Sequence, residues 1–290
     1  MTETTQAPVI ATQLDDLRTR VRVWREAGAT IALVPTMGAL HDGHLSLVRH
    51  AKEACTRTVV SIFVNPTQFA PNEDFATYPR DDEGDLAKLA AKQVDLVWMP
   101  TPALMYPPDF ATTVEPRGAA QGLESETRPH FFAGVATVCT KLFVQVAPDV
   151  AVFGEKDYQQ LQVIRQTVRD LDLPMSILGA PTIRESDGLA MSSRNAYLDA
   201  DERKRAGQLY AALQKVSAAV RAGDDHDKAL GQGRKVIERA GFKLDYLVLR
   251  DARTLSEPRA KAEPVSLRVL VAAHLGKTRL IDNIAVDEAG

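Results

Sequence analysis

Short apolar runs recur along the first 180 residues, and each is followed by residues at helical spacing. Ile31–Val34, Val59–Val64, Val94–Met99, Val150–Phe153 and Met175–Gly179 are too short for buried helices and suit buried strands. Pro35, Pro66 and Pro100 close the first three, because proline brings no N–H to a sheet ladder. Between the runs, apolar positions fall three and four apart. Leu17, Val21 and Trp24 form one such face, with Thr12 as the expected cap and Gly28 as the stop. Leu45, Val48, Lys52 and Cys55 form a second. Val135, Val138, Leu142 and Val146 mark a mostly buried helix suited to a core and also to a subunit interface. Leu161, Ile164, Val168 and Leu171 give a fourth. Strands alternating with helices predict an α/β domain with a parallel sheet.

Past Leu198 the texture changes. Asp199 can cap a helix with Leu209, Leu213, Val216 and Val220 on one face, ended by Gly223, and a weaker helix covers about Asp227 to Ala240. Three strand-like runs follow, Asp245–Leu249, Leu267–Ala273 and Arg279–Val286, so this part reads as a small α+β domain with an antiparallel sheet. The boundary falls near Ile183.

Composition narrows the function. With 45% apolar and 25% charged residues, the 290-residue chain reads as a globular protein of one large or two ordinary domains. A formal charge of −3 offers no electrostatic case for nucleic acid. No apolar run approaches the ~20 residues of a membrane span, and Met1–Ala7 lacks the pattern of a signal peptide. Cys55 and Cys139 both lie in apolar helical patterns, which suits buried thiols. The expected compartment is the cytosol.

The chemistry gathers where strands end. Met37, Gly38, His41, Gly43 and His44 occupy the loop after the first strand, with Gly43 or His44 near a helix N-terminus. Unpaired N–H groups and the helix dipole make that a ready anion site, and imidazoles can donate to phosphate oxygens. Taken alone, H-x-G-H fits two histidines in a polar surface loop equally well. In an open parallel sheet, loops leaving strand C-termini form the ligand crevice. Asn65 and Gln68 then face the same crevice, although both amides also suit turn formation. In the acidic run Asp81–Asp85 most carboxylates simply complement a helix dipole, while Asp85 can reach a magnesium ion. Lys156, in Gly154-Glu155-Lys156-Asp157, is set to meet phosphate. Met191, Ser192, Ser193 and Arg194 combine hydroxyls with a guanidinium fork, a set suited to a phosphate chain on a loop able to close.

Four stretches in this order, Val34–His44, Asn65–Phe69, Phe153–Gln160 and Met191–Asn195, closely resemble the pantothenate synthetase (pantoate–β-alanine ligase) family. The likeness runs from about residue 10 to 286. H-x-G-H belongs to a wider superfamily of nucleotidyl and aminoacyl transferases; the other three motifs are specific to one enzyme. The resemblance implies a Rossmann-like catalytic domain over 1–182, a C-terminal α+β lid domain over 183–290, and a homodimer. It implies condensation of pantoate with β-alanine at the cost of ATP, with Mg²⁺, through pantoyl adenylate. By the same resemblance His41, His44, Lys156 and Arg194 are catalytic, His44 as a proton donor. Met37, Gly38, Gly43, Gly154, Glu155, Asp157, Ile183, Met191, Ser192 and Ser193 complete the ATP site, with Asp157 at the ribose and Ile183 at adenine. Gln68 and Gln160 hold pantoate, Met37 lines it, and Asn65, Tyr78 and Arg128 lie on the β-alanine side. Asp85 is the magnesium candidate, since Gly84 stands where the family's acidic run has an aspartate. The family also reads Arg-Pro-x-His-Phe where this chain has Arg128-Pro129-His130-Phe131-Phe132, so His130 lies one position early.

Three other functions share parts of the pattern. A cytidylyltransferase shares fold and H-x-G-H but forms no amide. An aminoacyl-tRNA synthetase needs an RNA-binding surface that charge and length disfavour. A non-catalytic nucleotide-binding module leaves His41, His44, Lys156 and Arg194 without a task.

Overall fold

Val9–Ala11 (β1), Ile31–Thr36 (β2), Arg57–Ile62 (β3), Leu96–Trp98 (β4), Val150–Gly154 (β5) and Ser176–Ala180 (β6) pair in parallel in the order β1-β4-β3-β2-β5-β6. The structure, a computed structural model, describes residues 7–70, 73, 75–258 and 266–286. The five expected strands are present, and β1 is an addition. Its three residues are too few to carry a pattern, and Val9 and Ile10 are largely exposed at the sheet edge. Strand β2 is central, paired with β3 from Ile31↔Arg57 to Thr36↔Ile62 and with β5 at Ala32↔Val150 and Leu33↔Ala151. Its run Ile31–Val34 is fully buried, as a strand covered on both faces requires.

The helices beside this sheet are Leu14–Glu26 (α1), Asp42–Ala54 (α2), Asp82–Ala91 (α3), Pro102–Met105 (α4), Glu124–Thr127 (α5), Phe131–Val146 (α6) and Tyr158–Asp170 (α7). Three differ in detail from expectation. Helix α1 is entered at Gln13, with no side-chain cap, rather than at Thr12. Helix α2 starts at Asp42, and that phase turns Leu47, Val48 and Ala51 to the sheet. Lys52 therefore lies outside, its Nζ donating to the carbonyls of Lys92 and Gln93. Helix α7 ends before Leu171, which is exposed, while Leu161, Ile164 and Val168 are buried as expected. Trp98 is fully enclosed on β4, and its Nε1–H donates to Gln145 Oε1 of α6 at 3.0 Å, so the ring is buried without losing its polar bond.

The C-terminal helix expected from Asp199 to Gly223 breaks at Gly207 into Ala200–Ala206 (α8) and Gln208–Arg221 (α9). Asp199 does cap it, in a reciprocal box with Glu202. Helix α10, His226–Arg239, follows, then Lys243–Asp251 (β7), Leu267–Leu275 (β8) and Thr278–Ala285 (β9), antiparallel in that order. Their core joins Leu213 and Val216 of α9, Ile237 of α10 and Leu247 and Val271 of the sheet.

The chain divides into two compact units, Met1–Glu155 with Val163–Pro181, and Lys156–Gln162 with Thr182–Gly290. The segment carrying Lys156 and Gln160 thus packs with the C-terminal unit, which a single cut in the sequence does not convey. Among the described residues, no helix is long and apolar enough to cross a membrane.

Candidate active site

Connections in the sheet run outward in opposite directions from β2 and β5, and the crevice between such strands, at their C-terminal ends, is where open α/β sheets take ligands. The loop from β2 passes through Gly38 and Ala39, both with positive φ, 83° and 50°. An alanine holds that conformation only against a cost, so the loop needs an anchor. Helix α3 supplies it. Asp85 Oδ1 accepts the Leu40 N–H at 2.7 Å, and Lys88 Nζ donates to the Leu40 carbonyl at 2.9 Å. Asp85 is completely buried, its Oδ2 has no hydrogen-bond partner, and a Cβ on Gly38 would stand 3.2 Å from that oxygen. The acid expected as an open metal ligand is therefore first a loop anchor.

The two histidines cap α2 reciprocally. His41 Nδ1 accepts the Gly43 N–H at 3.1 Å, and His44 Nδ1 accepts the His41 N–H at 3.3 Å, with ring centroids 4.1 Å apart. These amide groups, expected to face an anion, are thus taken by imidazole. The consequence is chemical. A ring nitrogen that accepts carries no hydrogen, so each neutral ring holds its proton on Nε2. Both histidines become donors of fixed tautomer at a helix N-terminus.

Asn65 ends the segment after β3 and caps the single turn Pro66–Gln68. It is fully buried with both amide ends engaged. Nδ2 donates to Gln68 Oε1 at 2.9 Å and to the Gly134 carbonyl, while Oδ1 accepts from Tyr106 Oη at 2.8 Å and from Thr67. Asn65 is thus bonded to Gln68 and engaged at both ends rather than an open amide. Arg128, also assigned to the β-alanine side, grips Glu73 through Nε and Nη2 at 2.7 and 2.8 Å, donates to the Gln68 carbonyl at 2.9 Å, and stacks on Phe131. Tyr78 is buried edge-on to Phe69. His130 lies exposed at the start of α6, where its side chain makes no cap. Glu73 and Gly134 were not singled out from the sequence. A glycine inside so apolar a helix was a usable signal for the second; Glu73 offered none.

In the C-terminal unit, Lys156 sits in a single turn, Glu155–Asp157, with Nζ 3.9 Å from Asp157 Oδ1. Gln160 is half-buried on the first turn of α7. Ile183 and Met191 face each other across a hairpin, the Met191 N–H donating to the Ile183 carbonyl at 2.9 Å. Ser192 Oγ accepts the Arg194 N–H at 3.3 Å and caps the turn Ser193–Tyr197. Serine and arginine are therefore held in one local conformation. Hydroxyls, a guanidinium and an ammonium make this unit's contribution suited to phosphate.

The family model for pantoate–β-alanine ligase matches residues 9–285. The chain belongs to the pantoate–β-alanine ligase family. It is 57% identical over 282 residues to the pantothenate synthetase of a Bradyrhizobium species, covering 97% of this chain and 99% of that protein. The pantothenate synthetase of Rhodopseudomonas palustris is likewise 57% identical over 97% of this chain and 99% of its own length. Among solved structures, the pantothenate synthetase of Thermus thermophilus matches with a TM-score of 0.90 at 42% identity, over 96% of this chain and 99% of the other. A pantoate–β-alanine ligase from Francisella tularensis, solved with a β,γ-ATP compound and β-alanine, matches with a TM-score of 0.81 at 34% identity, over 98% and 99%. The parallel sheet and the small antiparallel sheet are thus those of pantoate–β-alanine ligases, and the chain is an enzyme of that ligase family.

Proposed function

We propose that this ligase condenses pantoate with β-alanine using ATP and releases AMP and pyrophosphate. One observation carries the reading: at the C-terminal end of the central strand two imidazoles each accept a main-chain N–H at Nδ1, which leaves Nε2 as the donor of the neutral ring. In the first step a pantoate carboxylate oxygen bonds to the α-phosphorus, and the bond from that phosphorus to the bridging oxygen breaks, releasing pyrophosphate. His41 and His44 donate to phosphate oxygens as charge builds there, the largest electrostatic benefit available to such a reaction. Lys156 and Ser192–Arg194 hold the departing phosphates, and Asp157 and Ile183 hold the nucleoside. Gln68 and Gln160 hold pantoate, with Met37 against its methyl groups. In the second step the β-alanine amine bonds to the acyl carbon, AMP leaves with the former carboxylate oxygen, and the amine gives up a proton.

Mg²⁺ belongs to the same proposal. Among the described residues no cluster of three metal-ligating side chains occurs, which suits an ion borne chiefly by phosphate oxygens and water with one or two carboxylates. Among the described residues, Asp85 Oδ2, a buried carboxylate oxygen with no hydrogen-bond partner, is the atom that would hold it. Bound there, Mg²⁺ would supply charge neutralisation on the triphosphate. We extend the reading to a cytosolic enzyme and to a homodimer; sedimentation of the pure protein tests the dimer.

Exchange of labelled pyrophosphate into ATP tests the reaction itself. Exchange is expected to need pantoate and not β-alanine, and adding β-alanine should yield AMP and pantothenate in equal amounts. Exchange without pantoate, or production of ADP and phosphate, overturns the assignment.

A further inference from the structure

Two consecutive residues on β9, Asp282 and Asn283, are polar, almost fully buried and unused by the chemistry above. Buried polar groups persist where their hydrogen-bonding capacity is matched, so their partners reveal what they hold. Asn283 is held from one side by Arg268, whose Nε donates to Oδ1 at 2.6 Å, and whose guanidinium lies 3.8 Å over the Tyr158 ring. On the other side Asn283 Nδ2 donates to the main-chain carbonyl of Lys156 at 2.9 Å. Tyr158 Oη donates in turn to the Ala252 carbonyl at 2.9 Å. The turn carrying Lys156 and Asp157 is thereby tied to the antiparallel sheet through its main chain and through an aromatic ring.

Asp282 holds a different stretch. Arg184 Nη1 and Nη2 donate to Asp282 Oδ2 and Oδ1 at 2.7 and 3.0 Å, the guanidinium lies 3.7 Å over Tyr210, and Nη1 also reaches the Gly188 carbonyl. Arg184 pairs with Ala190 at the mouth of the hairpin from which Met191–Arg194 departs. The Asn283 N–H donates to Asp282 Oδ1 at 2.7 Å, and Arg184 Nη2 reaches the Asn283 carbonyl at 3.3 Å, which joins the two sets.

We propose that Asp282 and Asn283 are positioning residues for ATP, a hub that fixes Lys156 and Ser192–Arg194 in one frame so that ammonium, hydroxyls and guanidinium meet the same triphosphate. Neither residue touches the nucleotide in this scheme. Each acts through the loop it holds. The inference rests on the assignment of Lys156 and Arg194 to phosphate.

Asn283→Asp is the informative change. It keeps the size of the side chain and the acceptor for Arg268, but turns an acceptor toward the Lys156 carbonyl where a donor stood. The KM for ATP should rise at least tenfold and adenylate formation should slow at least tenfold. The KM for pantoate, and conversion of supplied pantoyl adenylate with β-alanine, should stay within twofold. In a Lys156→Ala background the same substitution should add less than twofold, because both act through one contact. A KM for ATP within twofold of wild type, equal loss in both half-reactions, or full multiplication with Lys156→Ala each overturns the hub. Should Asn283→Asp not fold, Asp282→Asn, read in the same way against Arg194→Ala, carries the same prediction. Wild-type ATP use by Lys156→Ala itself overturns the underlying phosphate assignment, so the two failures give different results.

Discussion

Gly134→Ala is the most informative single methyl group to add to this protein. Gly134 lies on α6 against the turn that carries Gln68, and an added Cβ would stand 2.4 Å from the Thr67 carbonyl oxygen and 2.8 Å from its carbon. Both are backbone atoms, so relief requires the turn itself to move, by roughly 1 Å to reach ordinary contact. Two effects oppose each other. Alanine favours a helix over glycine by about 1 kcal/mol, whereas forcing a methyl into a packed site costs about 1–3 kcal/mol. The net loss of stability is therefore roughly 0–2 kcal/mol, small enough for the variant to fold. The functional loss should be larger. The shift stretches the bond from Asn65 Nδ2 to the Gly134 carbonyl, now 3.2 Å, and carries Gln68 with it. Misplacing a substrate-holding group by 1 Å can cost on the order of 10²-fold. The kcat/KM for pantoate should fall at least tenfold, with ATP affinity by calorimetry within twofold of wild type. Wild-type pantoate kinetics in a folded Gly134→Ala protein would refute both the tight packing of this turn and the role given to Gln68.

His44→Ala should slow single-turnover adenylate formation by a factor of about 10² to 10³, the loss typical of one transition-state donor. Because it also uncaps the His41 N–H, its thermal stability should fall by about 1 kcal/mol; a rate within threefold of wild type sinks the assignment. Burial pushes the Cys139 thiol up to about 12 and raises that of Cys55 as well, which leaves Cys139 a thiolate fraction on the order of 10⁻⁴ at pH 8. Neither should react with Ellman's reagent at pH 8 within an hour, and both should react on unfolding; rapid labelling of the native protein contradicts the packing. The Arg203 guanidinium holds the Asp187 carboxyl below the usual range. Its contribution is present above the unfolded carboxylate value near 4 and lost as pH falls through the lowered one. Both partners are partly exposed, so Asp187→Asn should cost only ~0.5 kcal/mol at pH 7, and nothing below the lowered value. A cost of the substitution that does not shrink as the pH is lowered through the acid range rejects the pair.

The sheet was legible because buried parallel strands are continuous apolar runs, and Pro66 and Pro100 follow the ends of β3 and β4. Pro35, expected to close β2, instead lies inside it, opposite Ser61 of β3. Strand β1 was not, since it gains its place from pairing with β4 at Val9↔Leu96 and carries no period of its own. Gly43 and His44 do lie in the first turn of α2, as expected, but the residue that caps it was not legible, for a definable reason. Histidine is an unusual N-cap, so His41 read as a loop residue although its ring nitrogen does a capping oxygen's work. The candidate residues of the motifs were readable by type and order, but their hydrogen-bond states were not. Asn65 caps a turn, as its type allowed, but its bond to Gln68 was not readable, and Asp85, expected at a metal ion, is a buried support in the fold. Arg268, Asp282 and Asn283 carried no signal, because what distinguishes them is contact with residues about a hundred positions away.

The placement of Trp98 has an optical consequence. Both tryptophans of the chain, Trp24 and Trp98, belong to the N-terminal unit. Trp98 is sealed from water at 0% exposure and bonded to Gln145. Its emission should be blue-shifted and weakly quenched by iodide while that unit is folded. The C-terminal unit contains Tyr158, Tyr197, Tyr210 and Tyr246 but no tryptophan, so excitation at the red edge near 295 nm is blind to it. Its helices α8, α9 and α10 nevertheless contribute to far-ultraviolet ellipticity. Fluorescence therefore watches one unit and ellipticity both, in one cuvette, and coincident denaturation curves mean that the two units melt as one cooperative block. Separated curves would give each unit its own free energy of unfolding without cutting the chain.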